Sequence, residues 1–183
     1  MNTLAVFTVI AATVLITSFI SGILGMAGGM ILMAVLLALL PLPAAMMLHG
    51  ITQMAANGWR AWLWRGHVDG RVFRGYAVGA LAALTLFAVL QVVVSKPVAY
   101  ILLGLTPFAA RMLPAGWHLN VDRRGHPSAC GFICTAVQLM AGVAGPLLDV
   151  FFVRSGMDRR GVVATKAITQ AFGHLVKIAY FGG

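Results

Sequence analysis

The chain contains no glutamate. Its acids are Asp69, Asp122, Asp149 and Asp158, and residues of either charge make up 9% of the 183 positions, against about 25% in an ordinary soluble domain. Residues 1–59 hold no Lys, Arg, Asp or Glu, so that stretch cannot be the skin of a water-soluble domain. The same scarcity excludes a nucleic-acid-binding surface, because a formal charge of +9 is not spread over a solvated face here. There is no GxxxxGK[ST] loop, which argues against ATP-driven transport by this chain alone. An intramembrane enzyme would need a nucleophile with its base, paired acids or metal ligands. With one Asp inside an apolar segment and no clustered His, the chain is not expected to be an enzyme or to carry a cofactor. Cys130 and Cys134 lie four apart in an apolar run. They read as small residues in a helix interface, since that spacing suits an intrahelical disulfide poorly and no third ligand converges on it.

What is present is apolar: 61% of the residues are hydrophobic. The apolar segments cover 4–24, 30–40, 44–64, 76–94, 97–110, 127–141, 146–153 and 161–181. The first lacks a basic leader and reads as a retained span. A chain in lipid must satisfy its backbone internally, and none of these runs alternates polar and apolar as barrel strands do. An all-α polytopic transmembrane bundle is therefore expected, one domain over 1–183. Charges collect in three bands, around 65–74, 111–124 and 154–160.

Two segments are too short to cross alone, and each follows a glycine run: Gly25-Met26-Ala27-Gly28-Gly29 and Gly142-Val143-Ala144-Gly145-Pro146. Glycine relaxes the backbone and proline lacks an N–H, so each run marks a helix break. The two runs lie 117 residues apart, and the same spacing carries Ile51-Thr52-Gln53 onto Ile168-Thr169-Gln170 and Gly66 onto Gly183. Interrupted apolar segments in matching places point to two homologous repeats and a central transport site. The first repeat is read as 4–110 and the second as 121–183, which stops where counterparts of the Arg71–Arg111 region should begin. Basic bands belong on the cytoplasmic side. Placing all three there requires 127–153 to enter and return, and makes the repeats inverted relative to each other.

The segment after each break carries a polar stripe. His49, Gln53, Asn57 and Arg60 share one helix face, as do Lys166, Gln170, His174 and Lys177, with Thr52 and Thr169 beside them. Polar groups at membrane depth normally face a partner or an aqueous path. Arg60 and Lys177 can also snorkel to an interface. As a set the stripes suit an anion, and a broken helix offers free N–H groups and a positive dipole end. Gly28-Gly29 and Gly145-Pro146 are the places where backbone would approach a ligand. Asp149 either relays protons or pairs with Lys166 or Lys177.

The two glycine runs, with Ala164-Thr165-Lys166-Ala167 followed by Gln170, resemble the sulfite exporter TauE/SafE family over nearly the whole chain. The resemblance implies a multi-pass carrier of the bacterial inner membrane, built of two homologous halves and acting on sulfite, sulfonates or related anions. Matched to the family pattern are Gly25, Gly28, Gly29, Gln53, Asn57, Gly142, Gly145, Pro146, Lys166, Gln170 and His174. The leading reading is a secondary transporter exporting a small sulfur-containing oxyanion. A non-transporting membrane subunit and a passive anion channel are the alternatives. Expected partners are the anion and the lipid bilayer, with no nucleic acid, and a homo-oligomer is one way for incomplete second halves to assemble. The inverted arrangement predicts that cysteines placed at 42 and 158 label from opposite membrane faces; labelling from one face would remove it.

Overall fold

Hydrocarbon offers backbone N–H and C=O groups no partners, so apolar runs close their hydrogen bonds locally as helices. The computed structural model describes residues 2–24, 27–112 and 119–183. Its helices are α1 (Thr3–Leu24), α2 (Ala27–Leu39), α3 (Leu42–Leu63), α4 (Gly70–Leu90), α5 (Lys96–Met112), α6 (His126–Ala141), α7 (Gly145–Phe152) and α8 (Arg159–Gly182), with a single 3-10 turn at Arg65–His67. No strand occurs among the described residues. Two stretches are long and apolar enough to cross a membrane by length and composition, Thr3–Gly22 with mean hydropathy 2.3 and Gly70–Leu90 with 1.7. The other long helices carry more polar residues, including the stripes on α3 and α8.

Acids set two helix starts. Asp69 accepts from Arg71 N and Val72 N at 2.8 and 3.0 Å, and Asp158 accepts from Gly161 N at 2.7 Å. Each carboxylate satisfies donors a helix leaves unpaired and meets the positive end of its dipole. The Asp69 cap is also why α4 starts six residues before the apolar run at 76.

The second break has the expected form. Gly142 ends α6 with φ 81°, a left-handed conformation that glycine adopts without strain. Pro146 stands in the first turn of α7, where its missing N–H is not needed. At eight residues, α7 is about 12 Å long, far short of a ~30 Å hydrocarbon core. It turns back instead: Val121 N donates to Phe151 O at 3.1 Å, joining the far end of α7 to the loop before α6. At the first break α2 begins at Ala27, earlier than the apolar run at 30, so Gly28 and Gly29 lie in its first turn.

The charged loops gather at one end of the bundle. Asp69 N donates to Thr165 Oγ1, Arg71 to Asp122 O, and Asn120 to Arg154 O. From that end α3 and α8 run antiparallel across each other, Arg60 facing the start of α8 and Met47 lying beside Gly182. One apolar core joins α2, the start of α3 and α5; another joins α4, α6 and α7. Helices α4 and α6 touch backbone to backbone. A Cβ on Gly79 would lie 1.9 Å from Ser128 O, and one on Gly131 2.0 Å from Tyr76 O. Cys130 and Cys134 are buried free thiols on the same helix.

Gly131→Val therefore forces α4 and α6 apart and should destabilise the protein by about 3 kcal/mol, read as an earlier unfolding midpoint in detergent. Gly104→Ala, with nothing within 4 Å of the added carbon, should not lower the midpoint and should raise it slightly, since alanine favours a helix over glycine.

Candidate functional site

Because α3 and α8 cross antiparallel, their polar stripes face each other, and the space between them is divided in two. Toward the charged end lies a vestibule of about 380 Å³, lined by Ser21 of α1, by Gln53, Asn57 and Arg60, and by Arg159, Lys166 and Gln170. Deeper lies a chamber of about 40 Å³, room for roughly three waters. Its walls include His49, His174, Gln138 and the turn Val143-Ala144-Gly145-Pro146 at the start of α7. Gln53 and Gln170 line both spaces and stand at the boundary between them.

Around the chamber the hydrogen bonds fix the donors. Gly29 O can only accept, so His49 donates to it from Nε2 at 2.9 Å, while His49 Nδ1 accepts from Lys177 Nζ at 2.8 Å. His49 is thus a neutral imidazole with its proton on Nε2. Lys177 also donates to Gly142 O at 2.9 Å, covering the carbonyl that the end of α6 leaves free. Gln138 Nε2 donates to His174 Nδ1 at 2.9 Å, which leaves the second ring nitrogen of His174 as a donor at the chamber wall. No side chain caps α7, and Gly145 and Pro146 at its start line the same space. The chamber offers amide and imidazole donors, and neither space has a carboxylate among its described lining residues.

The vestibule carries the charge. Arg60 Nη1 donates to Asn57 Oδ1 at 3.2 Å, and Asn57 donates to Gln53 O at 3.0 Å, a run of polar groups along α3. Lys166 forms an ion pair with Asp149 of α7, which resolves the open choice between Lys166 and Lys177 as its partner.

Most of the expected positions converge. Gly29, His49, Gln53, Gly145, Pro146, Gln170 and His174 line the chamber, and Asn57, Arg60 and Lys166 the vestibule. Others have different work. Thr52 donates to Leu48 O and His49 O, and Thr169 to Thr165 O and Lys166 O, both within their own helices. Gly28 seats α2 on α1, since a Cβ there would lie 2.1 Å from Thr17 O. Lys177 is fully buried and touches neither space, so it does not snorkel. Gly25 lies outside the described residues. Sequence reasoning passed over Gln138, Tyr76, Cys134, Ser21 and Arg159. Gln138 gave a signal, a lone amide inside an apolar run; Tyr76 and Cys134 gave none.

A helix bundle whose broken helix opens onto a polar cavity inside apolar surroundings has the plan of a membrane transporter. The family model for the sulfite exporter TauE/SafE matches residues 10–183, and the chain belongs to that family. Its members are membrane transporters rather than enzymes. No curated protein and no solved structure matches the chain.

Gln138→Leu should leave His174 Nδ1 buried without a donor and lower stability by about 1–3 kcal/mol, measured as thermal unfolding in detergent. Adding His174→Leu should recover part of that loss; a double variant worse than the sum would show that the pair is not the cause.

Proposed function

We propose that this chain is a secondary transporter that carries a small sulfur-containing oxyanion, sulfite or a sulfonate, outward across the bacterial inner membrane. The observation that carries the reading is the convergence of the two polar stripes on one path, from a cation-lined vestibule past Gln53 and Gln170 to the donors at the start of α7. Basic loops favour the cytoplasm, so the charged end is assigned there, the chain is read as multi-pass, and the vestibule opens inward. The antiparallel crossing of α3 and α8 fits two inverted repeats meeting at a central site.

The path divides the work of binding. Arg60, Arg159 and Lys166 draw the anion in. A cation and an anion about 4 Å apart attract by about 1 kcal/mol in bulk water and about 4 kcal/mol at the effective dielectric of a protein surface, so a narrow vestibule amplifies the attraction. Further in, neutral donors replace the anion's water: the two glutamines and Gln138 with His174, beside the start of α7, whose dipole is positive at that end. Neutral donors release an anion more readily than a second set of fixed cations would. Beyond the chamber the space is filled by Lys177, His49 and the apolar core around Met33 and Met46. That plug favours a carrier over an open channel.

Thermal-shift titrations of purified protein with sulfite, sulfate, taurine, sulfoacetate and thiosulfate test the reading, because a ligand that binds only the folded state raises its stability. Sulfite or a sulfonate should raise the unfolding temperature, and Lys166→Met and Arg60→Met should each weaken the response about tenfold, equivalent to about 1.4 kcal/mol. In proteoliposomes, unlabelled anion inside should accelerate uptake of labelled anion. A panel without any shift, or uptake without exchange stimulation, would remove the carrier.

A further inference from the structure

Several polar residues on the two sides of the Gln53–Gln170 boundary occupy matching positions, although Arg159 of the vestibule falls on apolar Leu42. Taken 117 positions along the chain, Ser21, Asn57 and Arg60 become Gln138, His174 and Lys177, His49 becomes Lys166, and Gln53 becomes Gln170. Polar side chains thus recur at matching positions, and the two groups are in different states. On the vestibule side, Asn57, Arg60 and Lys166 border about 380 Å³ of open space. On the chamber side, Lys177 is sealed between His49 and Gly142 O, and the His49 and His174 rings are 5.5 Å apart.

The packing beside them differs in the same sense. At Gly50 a Cβ would lie 2.8 Å from Ile178 and 3.4 Å from Lys177, so α3 and α8 are in close contact there. Its counterpart Ala167 lines the open vestibule. Ala45 and Met46 are fully buried in the apolar core, whereas their counterparts Val162 and Val163 line the vestibule. Hydrogen bonds, backbone approach and apolar packing agree on which side is shut.

We propose that Lys177 and His49 form the closed outer gate of an inward-open state, that Arg60, Asn57 and Lys166 form its open inner counterpart, and that transport exchanges the two arrangements. The proposal rests on the carrier reading and assigns its gating residues. Closure is not chemically equal on the two sides. Lys177 closes on a neutral imidazole, but Arg60 closing on Lys166 brings two cations together, so an anion must lie between them. The bound oxyanion supplies it in the loaded protein. Asp149, already paired with Lys166, supplies it in the empty one.

Cysteine accessibility tests the gate apart from the cargo. In a background with Cys130 and Cys134 replaced by alanine, Val143→Cys reports the chamber wall and Ala56→Cys the vestibule. A membrane-impermeant maleimide should label Ala56→Cys from the cytoplasmic face and spare Val143→Cys from the outer face. Adding Lys177→Met should raise outer-face labelling of Val143→Cys at least about tenfold and lower cytoplasmic labelling of Ala56→Cys, the signature of a shifted two-state equilibrium. His49→Leu breaks the same contact from the other helix and should act alike. Unchanged labelling in both variants would overturn the gate. If labelling shifts as expected while no anion of the panel stabilises the protein, the gate stands and the cargo assignment falls.

Discussion

A helix broken inside hydrocarbon leaves carbonyls and N–H groups that no water can reach, and the rest of this structure is arranged around supplying their partners. Gly142 ends α6 with a carbonyl that needs a donor, and Lys177 crosses from α8 to provide it. The same nitrogen bonds His49, which in turn bonds Gly29 O in the first turn of α2. One buried lysine thereby ties together α2, α3, α6 and α8. A fully buried lysine is an expensive way to cap a helix.

The N–H end of the second break is treated in the opposite way. No side chain caps α7, and its first turn faces a small polar chamber instead of packed side chains. Unpaired donors are costly where nothing can bind them and useful where an anion can. The carbonyl end is closed by protein and the amide end borders the chamber, which gives the break its polarity. Charge follows the same division: full cations stand in the wide vestibule, where water still reaches them, and neutral donors stand in the narrow chamber.

Much of this was legible in the residues. The break at Gly142–Pro146 was readable because two glycines followed at once by a proline favour a helix end and a new helix start, and the hairpin of α6 and α7 followed from the need to bring the 154–160 band back to the other basic bands. The stripe His49, Gln53, Asn57, Arg60 was readable because helical spacing is a local property. Partners were not. Thr52 and Thr169 look like stripe residues, yet a threonine on a helix can satisfy itself on the preceding turn, and both do. Gly28 looked like a ligand approach and proved to be a seat for α1, since both uses require the same missing side chain.

By itself the sequence determined that the chain is helical, belongs in lipid, breaks near Gly142 and carries paired polar faces, because hydropathy, backbone freedom and helical period act over a few residues. Tertiary structure alone decided that α3 and α8 cross antiparallel, that Lys177 meets His49 while Lys166 meets Asp149, and that one side of the crossing is open and the other shut. Those outcomes depend on how close two helices approach at points more than a hundred residues apart in the chain, and no local pattern encodes such a distance.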